Sequence, residues 1–210
     1  MNIPNMLTES LPETVNVNGE VFPIDHGFKT MIRIEIIIFS KIPDEETVSK
    51  TLNMFYMENV PADVDKAMGK MLWFYNCGKI QKPSETGGKP KKKQKRAYCF
   101  EADAGRIYAA FRSQYGLNLN SIKNAELHWW EFIAMFESLS EDLLISRVMF
   151  YRMADLSGMG KNQKAFIKKM RTIYAIEHSE STMDAQAKLA KRNRDMKEYV
   201  RKRMEECKKG

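Results

Sequence analysis

Three observations predict a mainly α-helical, multi-helix globular domain with a short N-terminal β-hairpin. Apolar residues recur at i, i+3, i+4 and i+7 through most of the chain after Pro43. Prolines and glycines punctuate those runs, as helix starts and stops require. A single Asn18-Gly19 pair separates two short stretches rich in valine. The expected organisation is an arm over 1–12, a helical domain over 13–178 and a charged helical tail over 179–210. A basic, mobile loop over 79–97 interrupts the domain.

The hairpin comes first. In ETVNVNGEVFPID, Asn18-Gly19 suits a two-residue type I′ turn, and Val15 and Val17 face Val21 across it. A lone hairpin is marginal in water, so it must pack on something. The following segment, TMIRIEIIIF, supports two readings. Ile32, Ile34, Ile36 and Ile38 alternate as in a strand, yet Phe28, Met31, Ile32, Glu35, Ile36 and Phe39 form a helical stripe.

Beyond Pro43 the pattern is helical. Asp44 is placed to cap a helix from Glu45 to about Met57, with Val48, Leu52, Phe55 and Tyr56 on one face. Pro61 suits the first turn of the next helix, with Asp63 and Asp65 near its positive end. Val64, Ala67, Met68, Met71, Leu72 and Tyr75 carry its apolar stripe, and Gly78 stops it. Further stripes follow at Ile107, Tyr108, Phe111 and Tyr115, ended by Gly116, and at Trp129, Trp130, Ile133 and Phe136. Ser140 is expected to cap a helix whose first turn holds Glu141 and Asp142, followed by Leu143, Leu144, Val148 and Tyr151. After the break at Ser157–Gly160, the stripe resumes at Phe166, Ile167, Met170, Ile173 and Tyr174. From Ser181 the apolar residues thin out among charges, which predicts an exposed helix.

The net charge of +7 is unevenly spread. Between Gly78 and Arg96 eight basic residues face Glu85 alone, and from Gly160 to Gly210 fifteen Lys and Arg face seven acids. The rest of the chain holds 11 basic and 19 acidic residues, so an acidic body carries basic appendages. No apolar run approaches the ~20 residues of a membrane span, the tightest cluster being Ile36–Phe39, and no membrane association is expected. The N-terminus, MNIPNMLTESLPE, does not read as a secretory signal.

Chemistry-bearing motifs are missing. Gly87-Gly88-Lys89-Pro90 has proline where a phosphate loop needs Ser or Thr, and no G-x-G-x-x-G, G-x-S-x-G or H-E-x-x-H occurs. Three cysteines (Cys77, Cys99 and Cys207) at wide spacing suggest neither a disulfide framework nor zinc, and point to a reducing compartment. Cys77 and Cys99 read as small buried hydrophobes flanking the loop. His128, between Glu126 and Glu131, reads as a packed or solvated histidine. Glu101 and Asp103 read as partners of a helix dipole. The expectation is a protein with no catalytic, cofactor-binding or metal-binding residues. A nucleic-acid reading is confined to Lys89, Lys91, Lys92, Lys93, Lys95 and Arg96, whose cations could meet phosphates but lack interleaved aromatics.

Fifteen methionines are a heavy load, and Met54, Met57, Met68, Met71, Met135, Met149, Met153 and Met170 lie on helical stripes. Flexible, polarizable thioethers adapt to irregular partners, so a surface that holds another helix is one reading, and core filling the other.

Several words of the sequence together resemble the gene-product-fifteen family of tailed bacteriophages. They are Leu72-Trp73-Phe74-Tyr75 followed by Cys77-Gly78-Lys79, then Tyr98-x-Phe100-x-x-Asp103, Ile107–Phe111 and Gln114-Tyr115-Gly116. The likeness continues through Leu127-His128-Trp129-Trp130-x-Phe132, Phe136-x-x-Leu139 and Tyr151-Arg152-x-x-Asp155-Leu156, and covers about residues 11 to 178. Members of that family are similar in gene position to tail assembly chaperones, between the tail tube and tape measure genes. The resemblance implies a non-enzymatic assembly factor of a phage or prophage in the host bacterial cytoplasm. Its client would be the tape measure protein, with the tail tube protein as a further partner. The resemblance also favours helix over strand for residues 28–39. A structural tail or connector component retained in the virion is the alternative, and homo-oligomerisation stays open. For client binding, Trp73, Trp129, Trp130, Met68, Met71 and Met135 are the candidate anchors.

Overall fold

Asn18 and Gly19 both adopt positive φ, 55° and 92°, and turn strand β1 (Thr14–Val17) back onto antiparallel β2 (Glu20–Pro23). This is the type I′ requirement met by the residues that tolerate it. Val15, Val17 and Phe22 point into the core, whereas Val21 stays exposed. The computed structural model describes residues 3–40, 45–79 and 96–176. The loop lysines Lys89, Lys91, Lys92, Lys93 and Lys95, the cap expected at Asp44 and the charged tail lie outside the described residues.

Seven α-helices follow the hairpin among the described residues: α1 (Phe28–Ser40), α2 (Glu45–Phe55), α3 (Val64–Tyr75), α4 (Ala104–Tyr115), α5 (Trp129–Glu137), α6 (Leu144–Met153) and α7 (Lys161–Ile173). The mainly helical fold with one hairpin is therefore as expected, and residues 28–40 are helix. The compact unit they build ends at Tyr174.

Why α1 forms is a tertiary matter. Its first amides, Lys29 and Thr30, donate to Oδ1 of Asn124 at 2.9 and 3.2 Å, across more than 90 residues of chain. Nδ2 of Asn124 donates in turn to both oxygens of Asp25, and Thr30 Oγ1 donates to Asp25 Oδ2 at 2.7 Å. A distant side chain thus serves as the N-cap that the local sequence does not supply. Gly27 makes this possible: a Cβ there would sit 2.4 Å from the Asn124 side chain.

The starts of α1 and α5 are then stitched together. Phe28 N–H donates to Leu127 O at 3.1 Å, and Trp129 N–H donates to His26 O at 2.8 Å. α5 is apolar on almost every side and accordingly lies at the centre. Phe132 is the hub: its ring stacks on Phe28 (5.2 Å), Phe111 (5.0 Å), Trp129 (5.7 Å) and Phe136 (6.2 Å), and meets Phe100 at a tilt (5.9 Å). Each such ring pair adds about 0.5–1.5 kcal/mol to the burial itself.

Two local expectations are corrected. Ser140 does not cap α6, which begins at Leu144 after Leu143. Its hydroxyl donates to the Asp142 carboxylate and its N–H to Gln114 Oε1, so the capping group is spent on a turn. Pro61 precedes rather than opens α3. Asp63 is the N-cap there, accepting from Lys66 N–H at 3.1 Å.

Candidate partner-binding face

The two adjacent tryptophans of α5 are nearly inaccessible, 1% and 2% exposed. Indole Nε1–H of Trp129 donates to Tyr75 O at 2.9 Å, and that of Trp130 to Phe74 O at 2.8 Å. Both carbonyls belong to the last turn of α3, where helix geometry leaves backbone acceptors unpaired. Trp129 and Trp130 are therefore fasteners between α5 and α3, and the expectation that they anchor a partner is corrected. Met71 is likewise core. Trp73, Met68 and Met135 are half-buried. Trp73 packs edge-on against Trp130 at 5.6 Å, five positions along α3 from Met68 and on another side of the helix. The six candidates do not share one face.

Of the two readings for His128, packed or solvated, the structure shows it packed, and it has a definite role. It is the N-cap of α5: Nδ1 accepts from Trp130 N–H at 3.0 Å, while its own N–H donates to Glu131 Oε2 at 3.1 Å. With Nδ1 an acceptor, Nε2 carries the proton and donates to Pro12 O at 3.1 Å. Burial, helped by the neighbouring His26 ring, holds its pKa below the ordinary 6.5 against the opposing Pro12 bond. Among the described residues no cluster of three or more His, Cys, Asp or Glu could hold a metal ion. Cys77 and Cys99 are free and half-buried, and burial pushes the Cys77 thiol up to about 12, so it is no thiolate at neutral pH.

Asp103 was expected to serve the dipole of α4. It stands at the N-cap position but makes no side-chain cap bond. Instead its buried carboxylate receives Arg152 Nη1 at 2.5 Å, Arg152 Nη2 at 3.1 Å, Arg106 Nη1 at 2.8 Å and Cys99 N–H at 3.0 Å. Burial alone would raise its pKa, but the Arg152 bonds, the amide and Arg106 bring it below the usual carboxylate range. Arg152 also donates to Ala97 O and Tyr174 O, so one guanidinium ties α6 to the start of α4 and the end of α7. A charge within the buried stripe Ile145, Val148, Tyr151 and Arg152 was the sequence signal for this joint.

A second buried carboxylate, Glu35 on α1, was not anticipated either. Tyr75 Oη–H donates to it at 2.5 Å and Arg96 Nη2 at 3.1 Å. Burial raises its pKa against both partners. Arg96 also lies over the Phe39 ring at 4.1 Å, so this described member of the basic-loop group is engaged within the fold.

Two surface features stand apart from these closed contacts. One is a cleft of about 260 Å³ between α1 and α4, floored by Phe28, Ile107 and Phe132 and edged by Lys29 and Arg33. The Lys29 ammonium is committed to Ile122 O at 2.6 Å. The other is the outer face of α6 and α7. There Phe150, Phe166 and Ile173 are 54%, 48% and 57% exposed, beside exposed Met153 and half-buried Met170. Phe150, Tyr151 and Phe166 form a continuous run of rings, with centroid separations of 5.9 and 6.0 Å. Beneath it lies only a small buried cluster of Tyr151, Ala154 and Ile167.

The family model described as Bacteriophage Gp15 protein matches residues 7–176, which is nearly the whole described fold. The chain belongs to this family. Membership makes it a bacteriophage protein of a family tied to virion structure and morphogenesis. No curated protein and no solved structure matches this Gp15 chain. The match runs to residue 176, just past the end of α7, and so spans both helices of the α6–α7 face. Among the described residues of this Gp15 protein, no helix is long and apolar enough to cross a membrane.

Proposed function

We propose that this Gp15 protein is a tail assembly chaperone, a non-enzymatic factor that binds the helical tape measure protein during tail morphogenesis in the host cytoplasm. The observation that carries the reading is the α6–α7 face, where Phe150, Met153, Phe166 and Ile173 stay exposed together on two packed helices. A long helical client exposes apolar stripes until tail tube subunits cover them. A surface of aromatics and methionines on helices suits such stripes without demanding one sequence.

Co-expression with the tape measure protein of the same phage tests the reading. A soluble complex that co-purifies supports it. A client that stays insoluble with nothing co-purifying sinks it. The alternative, a structural tail component, draws on the same family membership and predicts the protein in purified particles by mass spectrometry, where a chaperone is missing.

A further inference from the structure

The α6–α7 face differs from the rest of the described fold in charge as well as in exposure. From Leu144 to Ile176 there are seven basic residues and one acid, Asp155. The described residues before Leu144 hold ten basic and seventeen acidic residues. Asp155 lies in the turn between the helices, where Ser157 N–H donates to its Oδ1 at 3.0 Å. Helix α7 carries Lys161, Lys164, Lys168, Lys169 and Arg171 and no acid at all.

On α7, Phe166, Met170 and Ile173 stand at i, i+4 and i+7, the spacing of a helix-packing stripe. Only Ile167, on the side facing α6, is buried. Arg171 is held on that same side by bonds to Tyr151 O and Ala154 O at 3.1 and 2.8 Å. Phe166 and Met170 touch the cluster of Tyr151, Ala154 and Ile167 along one edge, and exposed Lys169 borders the other edge at i+3 from Phe166. Among the described residues nothing covers the rest of the stripe.

We infer that the α6–α7 face docks an amphipathic helix whose apolar stripe is bordered by acidic side chains. This deepens the chaperone reading and rests on it for the identity of the client, though not for the client's chemistry. Apolar side chains at helical spacing supply the packing, and the net positive charge of the two helices, with Lys169 at the stripe's border, selects carboxylates at the rim. Two other occupants fit worse. A second copy seated face to face would oppose like charges, and residues 177–210 of this chain are also net basic, ten against seven. A phosphate backbone would meet the lysines but leave the apolar stripe unused.

The test uses the full-length protein and a fluorescein-labelled synthetic helix of about 20 residues, long enough to be helical alone. It carries leucines at i, i+4 and i+7 with glutamates on both borders. Its control replaces the glutamates with lysines. The glutamate peptide should bind, more weakly as salt is raised, and the lysine peptide should bind at least tenfold less well. Phe166→Ser with Ile173→Ser should weaken the glutamate peptide by roughly tenfold or more. Lys169→Glu, at the border of the stripe, should weaken it by roughly threefold and flatten the salt dependence. Leu72→Ser, at an exposed apolar position on α3, should change nothing.

Equal binding of both peptides, or unaltered binding by the α7 variants, overturns the inference. So does binding of anionic lipid vesicles or duplex DNA without binding of the glutamate peptide, or self-association that blocks the peptide. The two readings fail separately. A tape measure protein that co-purifies equally well with Phe166→Ser/Ile173→Ser refutes this face and spares the chaperone. A glutamate peptide that binds while the tape measure protein does not has the opposite meaning.

Discussion

Helices α5 and α7 are both rich in large apolar residues and meet opposite fates. α5 buries Trp129, Trp130, Phe132 and Phe136 in nine residues, whereas α7 buries Ile167 alone in thirteen. The difference lies in what surrounds the apolar residues. α5 has only two charged residues, Glu131 and Glu137, both exposed, and buries its aromatics against several other elements. α7 alternates its apolar stripe with five cations, so only one edge of it can leave water without stranding a charge. The centre of the molecule is thus saturated with contacts, and the outer layer retains apolar surface for something else.

Truncation gives the largest test of this contrast. Phe132→Ala removes a ring with five aromatic neighbours and should cost about 3–5 kcal/mol in urea unfolding. Ile167→Ala, in a cluster that can relax towards solvent, should cost about 2 kcal/mol, near the lower end for such changes. Equal losses would erase the distinction between the two regions.

The joint between them comes next. Arg152→Ala leaves the Asp103 carboxylate buried with Arg106 and one amide, and should destabilise by about 3 kcal/mol. Adding Asp103→Asn should recover part of that loss, because the stranded charge is gone. If the double variant is as unstable as the sum of the singles, the pair is not coupled.

A smaller effect should appear in the pH dependence of the α5 cap. The folded pKa of His128 lies below 6.5, so between that value and 6.5 the unfolded chain binds the extra proton. Stability supplied by His128 is therefore present above 6.5 and is lost as pH falls through that window. Protonation of Nδ1 would also turn the acceptor for Trp130 N–H into a donor. The urea midpoint of His128→Asn, in which a capping oxygen remains, should fall less steeply than wild type between pH 7 and 5. Parallel curves would show that His128 does not titrate out of its cap. Glu35, with its raised pKa, works in the opposite direction, and the comparison of variant with wild type removes its contribution.

The smallest effect belongs to the outer face. Phe166→Ser should change stability by no more than about 0.5 kcal/mol, as for surface positions generally. A loss of several times that would mean the ring supports the fold.

What could be read from sequence follows the range of the forces involved. The Asn18-Gly19 turn and the 3.6-residue stripes are local, and both are found where the residues indicate. Residues 28–40 were ambiguous because alternating isoleucines satisfy either periodicity. What holds them as a helix is the Asn124 cap and the Glu35 contacts to Tyr75 and Arg96, all distant in sequence. Ser140 misled because its local partner Asp142 competes for the same hydroxyl. The tryptophans misled because aromatic size predicts importance without saying whether the contact is internal. Their indole partners lie 54 and 56 residues away on α3. On the α6–α7 face the sequence showed the stripe of Phe166, Met170 and Ile173, and only the three-dimensional packing showed that Phe166 and Ile173 stay exposed among the described residues.

Amide hydrogen exchange on the complex with the tape measure protein tests the central claim most directly. The account predicts that binding slows exchange in α7, over Lys161–Ile173, and in the second half of α6. Amides of α5, already buried, should not change. Slowed exchange confined to the cleft between α1 and α4, with α7 unaffected, would contradict it.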